Sequence, residues 1–128
     1  MPANKFKIAK ALSPRLPQLK ARTGLTPNVL CRLGFCLSLS DPTTPDPAQY
    51  AEDGFEFNRY TLLGDYEPLL MGLLRERLLK ENLDSGKDLD AYFRAHMNRG
   101  VEVLARRVRS LTSVLEMLPQ EQRKTKAT

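Results

Sequence analysis

Hydrophobic and polar positions follow a helical period through most of the second half of the chain. Between residues 65 and 82 the apolar stripe is Leu69, Leu70, Leu73, Leu74 and Leu78, and a second stripe runs from Asp88 to Leu118. Such spacing is typical of helices that bury one face. Asp84-Ser85-Gly86 predicts the turn between them. Gly100 interrupts the second stripe, which indicates a close helix contact or a bend.

The first forty residues predict a strand followed by two helices. Lys5-Phe6-Lys7-Ile8 alternates charged and apolar positions, as a short strand does, and such a strand needs a partner. A first helix carries Leu16 and Leu19 and stops at Gly24, the residue most easily placed at positive φ. Thr26-Pro27 supplies the N-cap and first residue of a second helix, which extends to Leu39 and is apolar almost all round.

The middle segment is irregular before it becomes aromatic. Residues 41–54 combine prolines and acids without a period, which predicts a surface loop. Phe55, Phe57, Tyr60, Leu62 and Leu63 are then expected to re-enter the core. The resulting fold class is mainly α: a small helical domain with a short N-terminal strand and a ribbon-helix-helix-like opening (strand-helix-helix), followed by two longer helices.

Length and composition fit one domain over residues 1–128. At 128 residues and 41% hydrophobic content, the chain is long enough for one core and too short for two ordinary ones. We divide it into a basic strand-helix-helix (1–40), an acidic loop with an aromatic segment (41–64), helices (65–118) and a frayed tail (119–128). It has no long apolar run and no cleavage signal at its start, so we expect a cytoplasmic protein that does not enter membranes.

Charge is strongly segregated along the chain. Residues 1–40 carry a net charge of +7 and no acid, residues 41–93 a net −7, and residues 94–128 a net +5. Basic faces of this kind most often meet nucleic acid or anionic membranes. We predict DNA contacts for the following residues: Lys5, Lys7, Lys10, Arg15, Lys20, Arg22, Thr23, Thr26, Asn28, Arg99, Arg106 and Arg109.

Two groups within that set rest on local reasoning. We expect the backbone N–H groups that open the second helix to form a phosphate cradle with Lys20, Arg22 and Thr23, because helix N-termini bind anions. Arg99, Arg106 and Arg109 are spaced to lie near one helical face.

The reactive side chains predict no catalytic or cofactor site. Cys31 and Cys36 cannot share a ligand at their spacing on a helix, and we expect both to be free buried thiols. His96, the single histidine, is expected in the core or at an interface. With no CxxC pair, the usual zinc and iron–sulfur arrangements are missing, and we expect no metal and no cofactor.

Two stretches carry a family resemblance. The first is Leu19–Arg32, continuing through Phe35–Leu39, and the second is Asp53–Tyr66, followed by Phe93–His96 and Asn98–Glu102. Over roughly residues 15–110 the chain resembles the DNA sulfur-modification protein DndE family. The resemblance implies a small protein that self-associates and binds DNA, with a preference for nicked duplex. It also implies partner proteins that supply the sulfur relay and the ATP-dependent steps of DNA phosphorothioation.

Three functions remain open from the sequence. The favoured one is a non-catalytic DNA-binding subunit that works with other DNA sulfur-modification proteins. A DNA-nicking endonuclease is the first alternative, and it would need a metal held by carboxylates or a nucleophile with a base. A ribbon-helix-helix repressor, with Lys5 and Lys7 in a DNA groove, is the second. The apolar second helix and the unpaired strand also predict a homo-oligomer of even number, a dimer or tetramer.

Overall fold

The structure is a computed structural model that describes residues 3–84 and 86–117. It confirms the mainly α class with a short strand at the N-terminus and two longer helices late in the chain. The predicted frayed tail, residues 119–128, lies outside the described residues. The elements, in chain order, are β1 (Lys5–Lys7), α1 (Arg15–Thr23), α2 (Pro27–Leu39), β2 (Glu56–Asn58), α3 (Arg59–Leu63), α4 (Glu67–Lys80), α5 (Leu89–Arg107) and α6 (Leu111–Glu116), with 3₁₀ turns at Pro47–Gln49 and Gly64–Tyr66.

The joint between α1 and α2 forms as its residue types predict. Gly24 takes the left-handed conformation, with φ 78°, and its N–H donates to the carbonyl of Lys20 at 2.7 Å. Thr26 is extended, and its hydroxyl accepts a hydrogen bond from the N–H of Val29. Pro27 occupies the first helical position, where its missing N–H costs nothing. The capping residues therefore set both helix ends and the short connection between them.

The N-terminal strand finds its partner inside the chain. β1 pairs antiparallel with β2, and Phe6 lies opposite Phe57 in the register. Both rings are buried, and Phe6 packs on Phe93 of α5 with ring centroids 4.8 Å apart. The strand is thus paired within the chain, and it does not require a second copy as the sequence predicted.

Helices α2 and α5 cross in close contact in the core. Gly34 and Gly100 face each other, and a Cβ built on Gly34 would lie 2.9 Å from the carbonyl carbon of Gly100. Beside this crossing Phe35 stacks on Phe93 with centroids 4.6 Å apart. Of the two alternatives that the interruption at Gly100 indicates, a close contact or a bend, the structure shows the close contact, with Gly34 as its partner.

The acidic loop is held to the helices by arginines. Arg77 donates to the carbonyls of Leu39, Asp41 and Thr43, and Arg94 donates to those of Pro47 and Tyr50. Backbone carbonyls in an irregular loop have no partners of the kind that a helix or sheet provides. A guanidinium group can satisfy several of them because it carries several N–H donors. Part of the basic charge in the second half thus has a structural role.

Two sequence predictions about the later elements are wrong. The stripe from Asp88 does not form one helix, because α5 ends at Arg107, Val108 is extended and the Ser110 hydroxyl caps α6 by accepting from the N–H of Ser113. Phe55 and Tyr60 are 55% and 83% exposed instead of lying in the core. Phe55 packs outside Phe57, and α3 turns Leu62 and Leu63 inward, which leaves Tyr60 outside.

Among the described residues, no helix has the length and apolar character needed to cross a membrane.

Candidate nucleic-acid interface

The basic residues of α1 divide between two sides of the helix. Arg15 and Arg22 are seven positions apart and therefore lie on the same side, about two turns from each other. Arg22 shows which side this is, because its Nη1 donates to the carbonyl of Val108 at the end of α5, at 3.4 Å. Lys20 is exposed and lies about 200° around the helix from Arg22. Only the two arginines thus face the end of α5.

A cleft between the start of α1 and the end of α5 gathers three arginines. It has a volume of about 620 Å³ and is lined by Ala11, Leu12, Arg15, Glu102, Ala105, Arg106 and Arg109. We call it the arginine cleft. Among the described residues, no carboxylate forms an ion pair with Arg15, Arg106 or Arg109. Residues from opposite ends of the chain thereby create one concentrated positive site.

Arg99 lies on the same side of α5 as Arg106, seven positions earlier, but it does not line this cleft. Its Nε donates to Ser38 Oγ at 2.8 Å, and its Nη2 donates to the carbonyls of Ser38 and Thr43. These bonds use the guanidinium to anchor the acidic loop. Arg106 lies in the last turn of α5, whereas Arg109 lies beyond the end of that helix. The two arginines therefore line the same cleft without sharing a helix face.

The lysines at the N-terminus have different surroundings. Lys5 and Lys7 both pair with the carboxylate of Glu56 on β2, at 3.1 Å and 4.0 Å. One acid therefore offsets part of the charge of two exposed lysines. Lys10 is exposed and adjoins the arginine cleft through Ala11, and its backbone N–H donates to Asp53 Oδ1 at 2.7 Å.

At the helix joint, the predicted phosphate cradle is only partly available. Thr23 is buried, and its hydroxyl donates to the carbonyl of Leu19 at 2.8 Å while accepting from the N–H of Leu25. That hydroxyl is therefore used inside the protein and cannot also reach a phosphate. Thr26 is exposed and caps α2, and Asn28 is half-buried in the first turn of α2.

The two cysteines are free, as predicted, but only one is buried. Cys31 lies in the core, and burial raises the pKa of its thiol far above its ordinary value, although the Arg32 charge acts in the opposite direction. Cys36 is exposed on α2, and desolvation still raises the pKa of its thiol. Because the thiolate is the reactive form, neither environment activates sulfur chemistry.

His96 is fully buried between α2 and α5, in agreement with a core position. Its Nδ1 lies 2.8 Å from Ser38 Oγ, and the same hydroxyl oxygen accepts a hydrogen bond from Arg99 Nε. Among the described residues, Nε2 has no hydrogen-bond partner. Burial, as the largest cause, and the charges of Arg99 and Arg77 together lower the pKa of His96 to about 3.

We expect this neutral histidine to make the protein sensitive to mild acid. Because the pKa of His96 is lower in the folded state, the unfolded state takes up a proton at a higher pH than the folded state does. The free energy of unfolding is therefore unaffected by this group above about pH 6.5 and falls by about 1.4 kcal/mol for each pH unit below it. Urea unfolding between pH 7.5 and 5 measures this slope. The same series on His96→Gln should be flatter by that amount, and parallel curves for the two proteins would contradict the assignment.

The fold and its charged surface define a class: a small, mainly α protein with a basic face built from both ends of the chain. Its sequence matches the family model described as DNA sulphur modification protein DndE over residues 5–112. The chain belongs to the DndE family. This confirms the resemblance that the two motif stretches indicate.

Solved structures agree with this membership. The crystal structure of DndE from Escherichia coli B7A, involved in DNA phosphorothioation modification, is 27% identical with a TM-score of 0.65, and the match covers 81% of this chain and 98% of that one. A glycine-to-lysine mutant of DndE, also involved in DNA phosphorothioation, is 24% identical with a TM-score of 0.64, covering 81% and 99%. The second likeness supports the fold alone. Comparison with curated proteins finds no match.

Proposed function

We propose that this chain is a DNA-binding accessory subunit of a DNA phosphorothioation system. The observation that carries the proposal is the convergence of Arg15, Arg22, Arg106 and Arg109 where α1 meets the end of α5. Duplex DNA is held on this basic face, with Lys10 at its margin. Other DNA sulfur-modification proteins carry out the chemistry, and nicked duplex is the preferred substrate that the family resemblance suggests.

Binding is favoured over nicking because of where the reactive groups lie. His96 is buried and neutral, so it cannot meet DNA as a general base. Glu56 pairs with Lys5 and Lys7 on the ribbon formed by β1 and β2, outside the arginine cleft, and the cleft lining contains one carboxylate, Glu102. A ribbon-helix-helix repressor pairs β1 with the same strand of a second chain, whereas β1 here pairs with β2.

The proposal includes a homo-oligomer of two or four chains. A groove of about 330 Å³ between α2 and α4 is lined by Val29, Arg32, Leu33, Cys36, Tyr66, Leu69 and Leu70. Leu33, Tyr66 and Leu69 are 37%, 56% and 60% exposed, and Leu73 continues the patch along α4. Contiguous exposed apolar surface of this kind is typical of an interface, and a second copy would cover it.

Salt-dependent binding tests the proposed DNA face. Each phosphate that the protein neutralises contributes about −0.9 to the slope of log association constant against log salt concentration, so removing one such contact should flatten the slope by about 0.9. We expect Arg15→Gln with Arg22→Gln to flatten it by up to about two such units on an intact duplex, measured by fluorescence anisotropy at several salt concentrations.

The matched control removes two lysines that share an acid. Lys5→Gln with Lys7→Gln deletes the same formal charge but also releases Glu56, so we expect a smaller change in slope than for the arginine pair. A larger effect of the lysine pair would move the DNA site to the strand ribbon. Binding without any salt dependence would contradict DNA recognition through phosphates.

A further inference from the structure

The arginine cleft has a shape that duplex binding alone does not require. A flat basic surface suffices to contact the phosphates of a continuous backbone. This site is instead concave, and its volume of about 620 Å³ lies in the range of cavities that hold small ligands. Such a space is far too small for a duplex but large enough for one phosphate with its attached sugar.

The lining matches a phosphate that carries more than one charge. Arg15, Arg106 and Arg109 are opposed in the lining by one carboxylate, Glu102, which leaves a net charge of +2 among these groups. Arginine presents a planar fork of donors suited to bidentate contact with phosphate oxygens. A phosphate monoester carries about −1.5 to −2 charges near neutral pH, whereas a backbone diester carries one.

We propose that the arginine cleft binds the terminal phosphate monoester of a DNA strand, at a nick or a duplex end. The inference rests on the proposed function and names the group that this part of the DNA face recognises. A terminal phosphate has a sugar on one side only, so it can enter a cleft walled by Ala11, Leu12 and Ala105. The rest of the strand then lies along α1.

The test compares DNA molecules that differ by one phosphate. The full-length chain is titrated with the same nicked duplex carrying a 5′-phosphate, a 3′-phosphate or only hydroxyls at the nick, at one salt concentration. One charge-assisted hydrogen bond corresponds to about tenfold in affinity or more, so we expect at least that preference for one phosphorylated nick over the hydroxyl form.

Variants locate the effect in the cleft. Arg106→Gln with Arg109→Gln should abolish the preference, while Arg75→Gln, an exposed arginine of α4 outside the cleft lining, should keep it. Because Arg106 also lies in the last turn of α5, where a cation favours the helix, thermal melting of each variant separates loss of fold from loss of recognition.

The outcomes distinguish this inference from the proposed function. Equal affinities for all three nicks, with salt-dependent binding retained, would overturn the terminal-phosphate site and leave DNA binding intact. If the wild-type chain bound none of the DNA molecules, both the terminal-phosphate site and the proposed function would be wrong. If deoxynucleoside monophosphate or inorganic phosphate binds the cleft while the three nicks remain equal, the cleft serves a small phosphate compound and the DNA-end assignment is wrong.

Discussion

Gly100→Ala is expected to destabilise the protein by more than about 3 kcal/mol, beyond the usual cost of overpacking a core. The new Cβ would overlap the backbone carbonyl of Gly34, which cannot move aside as the tip of a flexible side chain can. Helices α2 and α5 would have to separate, and the contact of Phe35 with Phe93 would open. Urea unfolding followed by circular dichroism measures the loss, provided the variant still folds.

A second glycine gives the matched control. Gly72 lies within α4, and a Cβ built there meets no atom within 4 Å. Alanine is favoured over glycine in a helix interior by about 1 kcal/mol, so Gly72→Ala should stabilise the chain slightly. Helix propensity favours alanine at position 100 as well. A loss of unfolding free energy in Gly100→Ala beside a gain in Gly72→Ala would therefore report the helix contact and not helix propensity. Equal stability of Gly100→Ala and the wild type would show that the two helices do not cross at these glycines.

Local signals are what the sequence conveys best. Gly24, Thr26 and Pro27 act within a few residues of themselves, and the α1–α2 joint could be predicted from their types alone. Gly100 indicates a close contact in the same way. Its partner, Gly34, could not be named, because a contact between distant parts of the chain depends on how whole helices pack.

The sequence does not distinguish arginines that bind the protein's own backbone from arginines that are free to bind a ligand. In the sequence Arg99 and Arg106 are equivalent, both basic and on the same helical stripe. In the fold, Arg99 meets the carbonyls of Ser38 and Thr43, while Arg106 opens into the cleft beside Arg15. Which arginine is used internally depends on the path of an irregular loop that has no periodic signature. The residues predicted from charge included Arg15, Arg106 and Arg109 of the cleft, but the sequence could not separate them from Arg99.

The sequence contains an N-cap that marks the break after α5, but the apolar stripe continues across it. Ser110, with the N–H of Ser113 three positions later, is a recognisable N-cap. The apolar stripe through Val108, Leu111 and Leu115 continues across it and favours one long helix. Capping chemistry decided the structure here, and the break brings Arg109 into the cleft.

The groove between α2 and α4 supports a prediction about assembly, because Leu33 lies at its wall. The nearly uniform apolar character of α2 predicted burial on most faces, but Leu33 is 37% exposed. An aspartate there could reach water in the isolated chain, so Leu33→Asp should fold. Within an apolar interface the same carboxylate would be buried without a partner, which costs several kcal/mol per ion.

We therefore expect Leu33→Asp to convert an even-numbered oligomer to folded monomers at micromolar concentration, measured by light scattering together with circular dichroism. A two-fold interface doubles the penalty, since each copy contributes the same residue. Leu79→Asp is the control: Leu79 is 66% exposed on α4 but does not line the groove, so its replacement should leave the oligomer unchanged. A monomeric wild-type chain would contradict self-association itself. A Leu33→Asp variant that stays oligomeric would instead move the interface away from this groove, because two buried carboxylates could not be accommodated there.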